Sequence, residues 1–179
     1  PLRPTAAFFA LAGEASRTKI YARRADPAPE IDGADGDEAW QGAQSVSFLE
    51  NHGAKEAQAA TEAAIAYDDS ALYVLFRCDE PNMDKLKQET LPRDSSELFN
   101  SDNVEVFVDP DGDGKGYYHF AINAGGAIYD ALNPSADEHD SSWNGAWQAS
   151  VRIGDAGWNV ELMIPLATVG VQQVAEGDS

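Results

Sequence analysis

The sequence predicts an all-β fold, built as an antiparallel β-sandwich. Three observations predict it. Short segments alternate apolar and polar residues with a period of two, the signature of a strand with one buried face. Turn signals such as Asp111-Gly112-Asp113-Gly114 and Gly154-Asp155-Ala156-Gly157 separate these segments at hairpin spacing. No long amphipathic pattern lies between them, which excludes the helical crossovers of a parallel sheet. One face of each strand then fills the core, and the other faces water and is open to a ligand.

The elements follow in order. Lys19 to Ala25 reads as a first strand, broken by Asp26-Pro27-Ala28-Pro29. Ile31-Asp32-Gly33 reads as a turn, and Asp37-Glu38-Ala39-Trp40 as a short helical turn anchored by Trp40. Ala54 to Ala64 is rich in Ala, Glu and Gln, a helical composition, yet Ile65-Ala66-Tyr67 is strand-like, so a strand is expected to begin in this region. Leu72 to Asp79 is a strand with Leu72, Val74, Phe76 and Cys78 on one face. Met83 to Thr90 reads as one or two helical turns. In Asn103 to Asp109 the three valines 104, 106 and 108 oppose Glu105, Phe107 and Asp109. In Tyr117 to Asn123, Tyr118, Phe120 and Ile122 oppose Tyr117, His119, Ala121 and Asn123. Trp147 to Ile153 and Trp158 to Ile164 close the series, each with its tryptophan at an inward position.

Composition narrows the function. The 179 residues carry 12 Lys and Arg against 31 Asp and Glu, a net charge of −19. A surface this acidic repels phosphate, so nucleic acid and anionic membranes are poor partners. Hydrophobic residues make up 43% of the chain, enough for a packed core rather than disorder. The lone Cys78 excludes an internal disulfide, and no apolar run approaches the roughly 20 residues that span a bilayer. At the start, the apolar run Ala6 to Ala12 after Arg3 fits either the tail of a secretory signal or an upstream linker, so residues 1–18 are read as a leader or linker remnant. Residues 19–179 are the folded domain, and Ala175 to Ser179 reads as a turn leading onward to further strands.

Five motifs in one order resemble the family 9 carbohydrate-binding modules and their DOMON-like relatives. They are Ile31-Asp32-Gly33 with Glu38-Ala39-Trp40; Tyr67-Asp68-Asp69 with Leu72-Tyr73-Val74; Asp102 to Asp109; Tyr118 to Asn123 with Gly125; and Gly157 to Glu161 with Ile164-Pro165. The resemblance implies a jelly-roll or immunoglobulin-like sandwich that holds the end of a glycan between two aromatic side chains. Polar groups of the sheet fix the hydroxyls. One such aromatic maps onto Phe99, where sugar-binding members usually carry Trp, and the sheet carboxylate maps onto Glu105. The neighbouring basic residue maps onto Ala121, so that contact is missing, with His119 two residues earlier as a partial substitute. The second aromatic is expected beyond the end of the chain. The resemblance also implies structural calcium, an extracellular or periplasmic location, a plant- or algal-type polysaccharide ligand, and tethering to other domains, a glycoside hydrolase among them.

The residues themselves supply a candidate site. Glu105 and His119 fall on the polar faces of two strands joined by the 109–116 hairpin, so they should be neighbours, with Arg77 and Asn123 close by. They read either as groups for sugar hydroxyls or as an ion pair on a wet face. Phe99 reads as a stacking platform or a core plug, and Trp143, in a polar Gly-containing loop, as an exposed binding residue. Asp109, Asp111 and Asp113 put carboxylates at i, i+2 and i+4, a spacing that suits calcium, although Phe120 stands where an EF-hand loop needs its glutamate. Asp68 and Asp69 read as turn formers. No nucleophile elbow, zinc spacing or phosphate loop is present, so the domain reads as non-catalytic. Two alternatives remain: a degenerate structural or interaction module of the same fold, and a haem-binding DOMON-like domain with Met83, Met163 and His119 as the candidate ligands.

Overall fold

The computed structural model describes residues 6–8, 19–48 and 59–172. Twelve strands occur among them: β1 Ala6–Phe8, β2 Lys19–Tyr21, β3 Arg23–Arg24, β4 Ser45–Ser47, β5 Thr61–Tyr67, β6 Ala71–Asp79, β7 Asn103–Val108, β8 Tyr117–Asn123, β9 Ile128–Ser135, β10 Glu138–Asp140, β11 Gln148–Ile153 and β12 Gly157–Pro165. Short 3-10 turns at Glu38–Trp40, Met83–Lys85, Ser96–Asn100 and Leu166–Val169 complete the regular structure.

Two sheets carry the fold. One runs β11-β12-β6-β5-β3, with β4 also paired to β5; the other runs β10-β9-β8-β7. All pairings are antiparallel except β3 with β5. The two sheets face each other across a single apolar cluster. Ile65, Val74, Phe76, Val160, Leu162 and Ile164 enter it from the larger sheet, and Val104, Val106, Phe120 and Ile122 from the smaller one. Apart from Ile65 on β5, these are the inward residues expected from alternation in β6, β7, β8 and β12, so the all-β sandwich stands. Cys78 lies in the same cluster, where burial pushes its thiol up to about 12.

The outer faces are less wet than alternation alone implies. Tyr73 and Leu75 face away from the sandwich core, yet both are buried beneath a cover that includes Ala25, Ala39 and Trp40. The smaller sheet has its own cover: Leu98 and Leu91 pack on Ala121, Ala127, Tyr129 and Ala131. A polar–apolar pattern reports which side faces the other sheet. It does not report which outward side a returning loop later covers.

The buried carboxylate of Glu161 ties two of the sequence motifs together in space. It lies on the outer side of β12 with no exposure to solvent. One oxygen accepts a hydrogen bond from the Trp40 indole at 2.7 Å. The other accepts from the backbone N–H groups of Gly33 at 2.8 Å and Asp32 at 3.1 Å. Gly33 has φ +83°, and a Cβ there would sit 2.7 Å from the Arg152 nitrogen, so only glycine fits the turn.

Several boundaries differ from the sequence reading. The segment from Lys19 to Ala25 forms two short strands rather than one. Met83 to Thr90 holds one 3-10 turn. Ile153, which alternation from Trp147 through Ala149 and Val151 predicts to face inward, is exposed at the end of β11. β9 and β10 carry no clear alternation, because Asp130 and Asn133 occupy buried positions and Pro134 follows. Of residues 1–18, only Ala6–Phe8 are described, paired with β2. Residues 54–58 of the Ala- and Glu-rich stretch lie outside the described residues, and β5 begins at Thr61.

Candidate functional site

The β7–β8 hairpin sets the site. Its register pairs Glu105 with Ala121 and Phe107 with His119, so all four lie on the outer face of the smaller sheet. Glu105 then reaches diagonally to His119, with 2.7 Å between its Oε2 and the imidazole Nε2. The carboxylate stays partly open to solvent while the imidazole is largely covered.

Aromatic rings surround that imidazole. Phe107 stacks on it with centroids 4.4 Å apart and planes 17° apart. Phe99, carried by the Ser96–Asn100 turn, lies 5.8 Å away at 29°. Tyr129 approaches edge-on at 5.6 Å and also meets Phe99 at 5.0 Å. Tyr117 continues the row beyond Phe107 at 5.5 Å. Phe99 is 38% exposed and Phe107 48%, so both side chains remain partly open to water. At the margin, His139 contacts the Tyr129 hydroxyl at 3.1 Å and the Asn133 side-chain oxygen at 2.8 Å.

The turn holding Phe99 is fixed by its own chemistry. The Ser95 hydroxyl accepts from the Glu97 N–H and starts the turn, and Leu98 plugs into the fully buried patch on Ala121. Phe99, the next residue, must therefore point away from that plug. It is neither a core plug nor fully in water, but a ring resting edge-on against Tyr129.

Other candidates lie elsewhere. Arg77 is on β6, in the opposite sheet, where its Nε donates to Asp35 at 2.7 Å; the expected proximity to Glu105 is corrected by the sheet assignment. Asn123 shares the outer face but is fully buried. Its amide nitrogen donates to the Glu89 carbonyl at 2.8 Å, and its oxygen accepts from the Ala127 N–H at 2.8 Å. It anchors the covering segment and is closed off from solvent. Gly125 of the same motif lets that segment approach, since a Cβ would sit 2.5 Å from the Gln88 and Glu89 carbonyl oxygens. Trp143 is not an exposed loop residue: it packs on Tyr118 at 5.1 Å and Phe120 at 5.9 Å, on the core side of β8. Met163 packs under the Trp40 cover, Met83 against the central core and His119 on the far sheet, so the three candidate haem ligands do not converge.

Asp130, unread in the sequence, ties two loops to β9. Its Oδ2 accepts from the Arg93 guanidinium at 2.8 Å, the Gly145 N–H at 2.8 Å and the Trp147 indole at 2.9 Å. Its Oδ1 is buried without a hydrogen-bond partner among the described residues. Burial raises its pKa against the pull of those donors.

At the hairpin tip, ligand oxygens of Asp109, Asp111 and Asp113 all lie within 4.8 Å of one another, and all three residues are exposed. Hard carboxylate oxygens suit calcium in kind. The same oxygens also hold the loop together: Asp109 accepts from the N–H groups of Gly112 at 2.9 Å and Gly114 at 2.8 Å. Lys115 pairs with Asp113 at 2.8 Å, so a metal ion would compete with its ammonium.

Residues 31–178 match the model of a family described as carbohydrate family 9 binding domain-like. The chain belongs to that family. Among solved structures, it is similar to a carbohydrate-binding module of family 9 from Caldicellulosiruptor kristjanssonii in complex with glucose. That match has 22% identity and a TM-score of 0.59, and covers 83% of this chain and 69% of the other. The same family's module from that organism with cellotriose gives 21% identity and a TM-score of 0.57, covering 82% and 66%. A putative carbohydrate-binding protein from Bacteroides uniformis ATCC 8492 gives 16% identity and a TM-score of 0.64, covering 88% and 77%. At such identities the similarity concerns the fold, and this chain spans about two-thirds of the length of the two Caldicellulosiruptor modules. None of the curated proteins matches.

Within this carbohydrate-binding family, sequence reasoning found Glu105, His119 and Phe99 but missed Phe107, Tyr129 and His139 as parts of the same cluster. The signal for Phe107 was present, because alternation puts it on the face of Glu105. Tyr129 and His139 had none, since their strands were not legible.

Proposed function

We propose that this family 9 domain is a non-catalytic module that binds a plant- or algal-type polysaccharide on the outer face of the β7–β8 hairpin. The observation that carries the reading is the partly exposed Glu105 carboxylate, held by His119 at 2.7 Å beside the exposed ring of Phe99. An anionic oxygen is a strong acceptor for sugar hydroxyls, and an aromatic face packs against the C–H face of a pyranose. With a net charge of −19, the chain favours neutral glycans over uronates or sulfated polymers. The module works tethered to other domains of a secreted carbohydrate-active protein, a glycoside hydrolase being the natural companion, outside the cell or in the periplasm. Calcium at Asp109, Asp111 and Asp113 is a separate structural element of the proposal.

Isothermal titration against glucose, cellotriose, xylotriose and mannotriose tests this. The expected result is saturable heat with at least one neutral sugar. It should fall by tenfold or more in Glu105→Gln, because loss of one charge-assisted hydrogen bond costs about 1.5–3 kcal/mol. Absence of heat across the panel overturns the reading.

One observation favours the degenerate-module alternative. The Ala121 position that departs from the family is fully buried under Leu98, so part of the sheet face is covered by the chain itself. The cover stops short of Glu105, Phe99 and Phe107, which remain exposed.

A further inference from the structure

We propose that His119 fills the space between Phe99 and Phe107, so that the outer-face site selects interior units of a neutral glycan chain over a chain end. The inference rests on the proposed binding role of Glu105 and names the kind of ligand that site takes. It departs from the mode implied by the family resemblance, in which a glycan end is held between two aromatic rings. Such a mode needs a gap that a sugar can enter. Here an imidazole of the chain itself stacks on both rings, on Phe107 at 4.4 Å and on Phe99 at 5.8 Å. Strand β8, which carries His119, lies between β7 and β9. Phe107 approaches from the β7 side as the register partner of His119. Phe99 approaches from the β9 side, where it meets Tyr129 at 5.0 Å. The imidazole is fixed in that position. Its Nε2 lies 2.7 Å from the Glu105 Oε2, Tyr129 meets its ring edge-on, and its side chain is 11% exposed. A pyranose entering there would have to displace a packed, hydrogen-bonded group, and a site discriminates by such a clash as much as by attraction. What stays open lies across the row that Phe99, His119, Phe107 and Tyr117 form, with the Glu105 carboxylate beside it. A chain laid over that row reaches more of its apolar surface than a single sugar does, while the carboxylate accepts from the hydroxyls of the nearest unit.

Isothermal titration of the intact domain compares glucose, cellotriose, cellohexaose and cellohexaose reduced with borohydride at its reducing end, with the xylose and mannose series alongside. Affinity is expected to rise by roughly tenfold or more from monosaccharide to hexaose, and the reduced hexaose is expected to bind like the unreduced one. A monosaccharide that binds as tightly as its hexaose, or a hexaose that stops binding on reduction, overturns the inference while the binding reading survives. No heat with any sugar overturns both. These arms use the parent alone and need no variant to fold. His119→Ala then vacates the space, and it is expected to bind the monosaccharide roughly tenfold more tightly than the parent does. His119→Leu keeps the space filled and loses the hydrogen bond to Glu105, and it is expected to keep the parent's preference for the longer chain. Thermal unfolding of each variant is read alongside. A histidine that served only as a cross-strand partner of Phe107 would lower the melting temperature in both variants and leave the length preference in place. That result in a folded His119→Ala overturns the inference.

Discussion

At the residue scale, Glu161 and Asp130 are the carboxylates that hold the covers in place, and both are buried. The sign of their pH effect follows from burial. Glu161 has its pKa raised from the ordinary 4.5, chiefly by desolvation, against the donors Trp40, Gly33 and Asp32. The folded state therefore binds this proton more tightly than the unfolded chain does. Its contribution to stability falls as pH rises from 4.5 through the raised value. Asp68 runs the other way. Burial works to raise it, but hydrogen bonds from Ser70, Tyr73 and the Ala71 N–H outweigh burial and hold it below 3.8. Its contribution is present above 3.8 and is lost as pH falls through the lowered value. Glu161→Gln puts an amide NH2 against a ring or backbone donor. It is expected to destabilise the domain by about 2–3 kcal/mol in urea unfolding at neutral pH, from the loss of charge-assisted bonds and a donor left unpaired. It should also flatten the fall of stability with pH above 4.5. An unchanged midpoint and slope would show that Trp40 and Gly33 are held without this carboxylate.

At the element scale, the strands were legible where both sides of a strand have distinct chemistry. Val104, Val106 and Val108 against Glu105 and Phe107 give a pattern that needs no tertiary information. β9 was not legible, because its Asp130 and Asn133 meet loops that arrive from residues 93–94 and 145 and the neighbouring strand β10 at His139. The same cause misplaced Trp143: its polar neighbours describe the loop, while the hydrophobic surface it covers comes from β8. For the site, hairpin register could be inferred from the 109–116 turn, so Glu105 and His119 were found together. Arg77 was misassigned because alternation within a strand does not tell which sheet the strand joins. The hairpin tip gives the element-scale prediction. Three converging carboxylates repel one another, and a divalent ion with hard-oxygen preference relieves that repulsion. Millimolar calcium is expected to raise the melting temperature of the parent, magnesium to do so less, and Asp111→Asn to abolish the difference. Equal responses to both ions, in parent and variant alike, would reduce the tip to an acidic turn held by Asp109 and Lys115.

At the scale of the whole molecule, the charge imbalance sets how stability responds to salt. With 31 acidic and 12 basic residues, most carboxylates have no cation available. The described ion pairs are largely at the surface: Arg24 with Asp69, Arg77 with Asp35, Lys115 with Asp113 and Arg152 with Asp32. Pairs of that kind contribute little, because water and mobile ions screen them, and salt weakens them further. Salt also screens the repulsion spread over the net charge of −19, which acts between many more groups than the pairs involve. Screening reaches inside such a domain once the Debye length falls from about 30 Å at 0.01 M to about 10 Å at 0.1 M. Relief of repulsion therefore outweighs loss of the pairs. The melting temperature of the isolated domain is expected to climb with sodium chloride over that range and to flatten above it, when only short-range contacts are left to screen. A temperature that falls with salt would mean that local pairs such as Arg93 with the buried Asp130 govern stability, and that the excess acidic charge is already spaced widely enough to be harmless.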